Sequence, residues 1–171
     1  MIPGDSQERV EATIDLGSYV NLGTNKGTAL RVWSVQQQVC DSLGTIPLID
    51  AAAGSGTTKG AFVNTAITTS QVPASYDAAQ MPQVNQDWVM YTAGLSGMNG
   101  NNDADQGILT HDFDIAPQGL REGYLLAVDT LFLYAIADDA FAEDVYVNFM
   151  LECSLEPITQ ASAVSLSLSQ N

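Results

Sequence analysis

Basic side chains are scarce in this 171-residue chain. Lys26, Lys59, Arg9, Arg31 and Arg121 stand against 20 Asp and Glu, for a formal net charge of −15. Nucleic-acid binding rests on Lys and Arg neutralising phosphates, and these residues are too scattered to form a patch, so direct contact with nucleic acid is not expected. Anionic membrane surfaces are disfavoured for the same reason. Histidine is nearly missing, with His111 alone. Together with Cys40 and Cys153 it gives a set too sparse and too widely spaced for zinc, which takes three or four such ligands. The two cysteines read as buried thiols acting as small hydrophobes; a disulfide between them is the open alternative, with nothing in the sequence to support it. A Ser–His–Asp arrangement around His111 lacks a Gly-x-Ser-x-Gly turn, and on a strand Asp112 points away from His111. Phosphate-cradling and dinucleotide fingerprints are missing as well. Long apolar runs are also lacking. The longest, over 124–137, is interrupted by Asp129 and is too short to span a bilayer. The start, Met1-Ile2-Pro3-Gly4-Asp5, has neither a basic segment nor an apolar core, so the expectation is synthesis in a cytoplasm without a signal peptide.

What is present is strand pattern. Apolar residues make up 46% and charged residues 15% of the chain, which fits one globular domain with a sizeable core. The clearest signal is the alternation of Val145, Val147, Phe149, Leu151, Cys153 and Leu155 with Asn148, Glu152, Ser154 and Glu156, the period of a strand with one wet face. Val145, Val147, Phe149, Leu151 and Leu155 are therefore expected to face the core. The almost wholly apolar run 124–137 precedes an acidic loop containing Asp138, Asp139, Glu143 and Asp144, and the two strands are expected to form a long antiparallel pair around it. Strands are expected near 9–16, 28–40, 61–69, 87–95, 108–115, 123–137 and 145–156. In the second of these, Leu30, Val32 and Ser34 are placed on one face and Arg31, Trp33, Val35 and Val39 on the other. The segment 163–169 alternates Val164, Leu166 and Leu168 with serines, as a final strand or an arm that pairs with a neighbour.

Gly, Pro, Asn and Asp clusters separate these runs, and no amphipathic helix of normal length is written. The fold class expected is all-β: an eight-stranded antiparallel β-sandwich, with a single jelly roll as one way to arrange it. An immunoglobulin-like sandwich is the rival arrangement, but Trp33 precedes Cys40 and so breaks its Cys–Trp–Cys order. Residues 1–8 read as a flexible N-terminus, 9–157 as the sandwich domain, and 158–171 as a C-terminal tail or inter-subunit strand.

Carboxylates are the only dense chemistry. In the loop 101–107, oxygen ligands fall at alternate positions. Asp103 and Asp105, closed by Asp112, form a candidate site for weakly bound Ca²⁺ or another cation. Gly107 comes one place late for an EF-hand turn, and the flanks are strands. The loop with Asp138, Asp139, Glu143 and Asp144 is a second acidic cluster, where like charges repel unless screened or bridged. Paired carboxylates for glycoside hydrolysis need one raised pKa in a protected cleft, and nothing in the pattern supplies one. No catalytic residue and no organic cofactor is expected.

An acidic eight-strand sandwich of this size, with Thr-, Gly- and Asn-rich loops over 9–157 and no catalytic signature, resembles a particular capsid family. These are the single jelly-roll capsid proteins of icosahedral, membrane-containing DNA viruses, of the halophilic archaeal virus type and its bacterial relatives. The resemblance implies a non-enzymatic structural virion protein that self-assembles into, or decorates, an icosahedral capsid. Its implied partners are other capsid subunits, as homo- or hetero-oligomers, apposed to an internal viral membrane without insertion. Residues 1–9 offer only Arg9 against Asp5 and Glu8, so no basic arm reaches a genome. The alternative function is a carbohydrate- or receptor-binding β-sandwich module, with Trp88 and Tyr91 as candidate stacking platforms and Trp33 assigned to the core.

Overall fold

The computed structural model describes residues 1–2, 7–21, 26–50, 59–99 and 110–170, with Lys26, residues 110–114 and Gln160 described through their backbone alone. The strands are β1 (Val10–Asp15), β2 (Lys26–Cys40), β3 (Lys59–Thr68), β4 (Val89–Asn99), β5 (Thr110–Ile115), β6 (Tyr124–Leu126), β7 (Thr130–Ala137) and β8 (Tyr146–Thr159). Among the described residues a 3₁₀ turn covers Pro117–Gly119, and one helix, α1 (Gln160–Ser169), follows β8. All strand pairs are antiparallel. They form a five-stranded sheet in the order β1-β7-β3-β4-β5 and a three-stranded sheet in the order β6-β2-β8. The chain is thus an all-β, two-sheet antiparallel sandwich. No helix among the described residues is long and apolar enough to cross a membrane.

The core is the set of alternate positions that the two sheets turn toward each other. Val32, Val35, Ile67, Met90, Tyr91, Leu126 and Leu131 are buried in its larger part, with Phe149 and Leu151 packed against them. Ile2, Ile49, Val63, Ala137, Phe141 and Val145 fill the other end. The loop after β3 lies over the outer face of the five-stranded sheet, where Val72 and Trp88 pack with Ala66 and Tyr134. Tyr134 Oη accepts a hydrogen bond from the Val72 N–H there at 3.0 Å.

Four expectations need correction. First, 123–137 and 145–156 do not pair. The first run breaks at Ala127–Asp129 into β6 and β7, and β7 joins the five-stranded sheet while β8 pairs with β2. The acidic segment between them is a crossover held by buried Ala140 and Phe141, and Phe141 bridges Ile49. A period of two says which face is buried and is silent about the partner strand.

Second, Trp33 is a bulge. Val32 pairs with Cys153 and Ser34 with Glu152, so the extra residue shifts the alternation of β2 by one. Leu30, Val32 and Val35 are buried, Val39 is half-buried, and Arg31 and Trp33 lie on the outer face. Third, Val145 is buried and Val147, Phe149 and Leu151 are half-buried, but Leu155 is 56% exposed. It lies beside buried Leu30 on the inner face, at the uncovered rim of the sheet.

Fourth, 163–169 is helical. Thr159 caps α1, its Oγ1 accepting the Ser162 N–H, and buried Ala163 seats the helix. Gln170 then ties the end across the sandwich. Its side chain accepts from Ala127 N–H and donates to the Leu125 carbonyl, while its own carbonyl accepts from Thr69 Oγ1. Near the start of the chain, Ile2 is 1% exposed and exchanges both backbone hydrogen bonds with Val145.

Candidate assembly surface

The sandwich brings no reactive set together. Among the described residues, no group of three His, Cys, Asp or Glu side chains converges on a point where a metal could sit. Asp103 and Asp105 lie outside the described residues. Of Asp112 only the backbone is described, in β5 opposite Gly94. His111 is its neighbour on that strand, opposite Leu95. In the acidic crossover, Asp138 Oδ1 accepts from Asp139 N–H at 2.8 Å and from Gln7 Nε2 at 3.3 Å. Burial, and then the adjoining Asp139 carboxyl, raise the Asp138 pKa above the ordinary carboxylate range.

The described grooves have the same character. One of about 470 Å³ near the end of α1 holds Asp129 as its one ionisable lining group. Another of about 500 Å³ beneath the loop after β3 holds none. None of the five grooves brings two carboxylates together, as acid–base hydrolysis needs. Both cysteines are free thiols. Cys40 is buried as expected, whereas Cys153 is exposed on β8, where partial desolvation of the thiol against the sheet, and then the neighbouring Glu152 carboxylate, raise its pKa.

The aromatic platforms fall out the other way round from expectation. Tyr91 is fully buried, with its ring edge-on to Phe149 at 6.0 Å and its hydroxyl donating to Gln37 Oε1. Trp88 packs half-buried against the outer face of the five-stranded sheet. Trp33 is the exposed one, at 42%. Its bulge turns it outward beside Arg31, whose guanidinium lies 5.5 Å from the ring centre, and its indole N–H donates to Ser154 Oγ at 2.9 Å. Arg31 in turn forms an ion pair with Glu156 and donates to the Glu122 carbonyl. The guanidinium holds the Glu156 carboxyl below its usual range.

The rims of the sheets are more distinctive. β8 is the outer strand of its sheet, paired with β2 along its whole length on one side. On the other side only Val145 has a partner among the described residues, through its bridge to Ile2. Behind this rim, Ile2, Val10, Ala12, Leu133, Val147 and Phe149 line a mainly apolar cavity of about 120 Å³, with Glu11 as its one carboxylate, that opens between β1 and β8. The flank where the two sheets end together is therefore apolar within and unpaired along its border. Met150 on the outer face of β8 is 60% exposed. Sequence alternation located the apolar positions of β8. Its place at a rim, and the anchoring roles of Ile2 and Gln170, had no signal of their own.

No protein-family model matches the chain, and no curated protein sequence matches it. Among solved structures, human polyomavirus 12 VP1 in complex with 3'-sialyllactosamine is similar with a TM-score of 0.41 and 11% identity, over 89% of this chain and 82% of that one.

Proposed function

We propose that this chain is a non-enzymatic structural protein of a virion, a subunit that assembles with other shell subunits into, or onto, an icosahedral capsid. The observation that carries the reading is the long outer strand β8, unpaired beyond Val145 among the described residues and backed by an apolar flank. A bare strand rim is a template for pairing with another chain, and monomeric proteins blunt such rims. The sparse chemistry of the grooves supports the same reading. A net charge of −15 suits a shell built in high salt and kept from its genome by an internal membrane or by other proteins.

Sedimentation and electron microscopy of the purified full chain, from low to molar salt, test this. Discrete oligomers or shells that grow with concentration are expected. A monomer under every condition would refute the reading.

One observation favours a second reading, a glycan- or receptor-binding module: Trp33 stands exposed on a sheet face with Arg31 and Glu156 fixed beside it. Glycan-array binding lost in Trp33→Ala, by a protein that stays monomeric, would select it.

A further inference from the structure

The rim of β8 has two ends, and they make the stretch between them symmetric. Val145 turns its N–H and C=O away from β2, toward Ile2, at 2.9 and 2.7 Å. In an antiparallel strand both backbone groups of a residue point to one side, and the side alternates along the chain. Val147, Phe149, Leu151, Cys153 and Leu155 therefore also turn theirs off the rim. Pro157 falls on the same side. It has no N–H to give, so it costs the β2 ladder nothing and closes the rim to a docking strand. Among the described residues the open rim is thus 147–155, bounded by Ile2 on Val145 at one end and by Pro157 at the other, and its middle residue is Leu151.

We propose that this rim pairs with the same rim of a second copy, antiparallel and two-fold symmetric about Leu151, joining the two three-stranded sheets into one. The proposal rests on the shell reading for its partner, another subunit, and names the first contact of assembly. An isologous contact requires a patch complementary to itself. In this register Leu151 meets its own counterpart, Phe149 meets the partner's Cys153, and Val147 meets the partner's Leu155. Every inner-face pair is apolar, and the exposed Leu155 and Cys153 gain cover. The partner's Leu155 comes to the mouth of the cavity that Val147 and Phe149 line. On the outer face Asn148 meets the partner's Ser154, and the exposed Met150 meets the partner's Glu152. No like charges stand directly opposite, the arrangement that would destabilise the pair. The two Glu152 carboxylates lie diagonally across the axis, so salt favours the contact. Shifting the register by two residues in either direction sets Pro157 or the occupied Val145 against the partner strand.

Three full-length variants test the proposal. Leu151→Cys in a Cys153→Ser background sets two thiols at the axis, where Cα atoms of a hydrogen-bonded pair stand about 5.5 Å apart, within disulfide reach. Oxidation at molar salt should link most of this protein into dimers, whereas Val147→Cys in the same background should stay unlinked. Equal linking at both positions, or none at 151, overturns the proposal. Cys153→Pro removes only an N–H that points off the rim. Its melting temperature should stay near that of the wild type while dimerisation weakens at least tenfold. Unchanged dimerisation would also overturn it. Shells that form normally without a 151 cross-link would discard this rim contact and leave the shell reading standing. A wild-type monomer under all conditions would discard both. Pairing only with a different shell protein would reassign the rim and refute self-pairing.

Discussion

The Val32 carbonyl oxygen lies 2.5 Å from the point where a Cβ on Gly123 would stand, and the Trp33 ring is 3.3 Å from that point. Gly123 has φ of +63°, the left-handed region that side chains with a Cβ avoid. It leads the chain from the turn after Pro117–Gly119 into β6, flush against β2 at the Trp33 bulge.

Gly123→Ala is therefore expected to destabilise the fold by at least about 1–3 kcal/mol from backbone strain alone, with the steric clash adding to it. Gly119, whose Cβ position is open, is the control, and Gly119→Ala should change stability by less than about 0.5 kcal/mol. Urea unfolding of both variants checks the contrast. Equal effects would show that the close approach at Gly123 contributes nothing.

Gln170 joins β6, through Leu125 and the adjacent Ala127, to Thr69 at the end of β3, and it does so from beyond α1. Gln170→Ala leaves the Ala127 N–H and the Leu125 carbonyl without this partner. The expected loss is about 1–3 kcal/mol. It should appear first as faster hydrogen exchange in α1, with the β2·β8 ladder still protected. Uniform loss of protection would show that α1 and the sheets unfold as one unit.

The extent to which sequence foretold structure differs by element for physical reasons. Alternation at 145–155 placed Val145, Val147, Phe149 and Leu151 on the inner face, because side chains on a strand must alternate. It could not reveal that β8 stands at a rim, which depends on the distant pairing with β2, so Leu155 was assigned to the core. The bulge at Trp33 defeated the face assignment of β2 after that residue, since one inserted residue reverses the alternation. In α1, Ser-Leu-Ser-Leu spacing imitates a strand. The countervailing signal is local and weaker than the alternation: a capping Thr159 and three alanine or serine positions at the first turn. The candidate cation loop with Asp103 and Asp105 lies outside the described residues, and its chemistry is still that of its composition.

Phe149 is half-buried and meets Tyr91 edge-on across the two sheets. Because one side of Phe149 faces the open flank, Phe149→Ala should cost less than the about 3–5 kcal/mol of a fully enclosed phenylalanine. A loss of about 1–3 kcal/mol is the expectation from partial burial. Chemical denaturation of the monomer at low protein concentration measures it. A loss below about 0.5 kcal/mol would mean that the ring does not bridge the sheets.

Acid sensitivity follows from three carboxylates with opposing signs. Asp41 accepts from Thr45 Oγ1 and from the N–H groups of Thr45 and Leu43, which hold its pKa below the ordinary range. Glu156 is lowered by Arg31. A lowered folded-state pKa gives stability that is present above the unfolded value and is lost as pH falls through the folded one. Asp138 has the reverse sign: burial raises its pKa, so stability declines as pH rises from the ordinary carboxylate value through the raised one. Asp41→Asn should flatten the acid limb of a melting-temperature profile. Asp138→Asn should raise the melting temperature at pH 7 and change it less near pH 3. A shift for Asp138→Asn that is equal at both pH values would assign its effect to packing and not to charge.

Screening should matter more to this protein than to an ordinary domain. Two ion pairs are formed among the described residues, Arg31–Glu156 and Lys59–Asp50, against a net charge of −15. Most carboxylates therefore feel one another more than any cation of the chain, and repulsion of that kind decays within about 10 Å at 0.1 M salt and about 3 Å at 1 M. The melting temperature is expected to climb steadily from 0.01 M to 1 M NaCl, and oligomerisation with it, because bringing two acidic subunits together adds to the same repulsion. Calcium bound through Asp103, Asp105 and Asp112 would add a separate signature. At constant ionic strength, millimolar CaCl₂ would raise the melting temperature further, chelator would reverse the rise, and Asp103→Asn with Asp105→Asn would abolish it while leaving the NaCl response intact. A calcium effect that matches magnesium and survives those substitutions would reduce it to general screening. A melting temperature indifferent to NaCl would count against an acidic surface tuned to high salt.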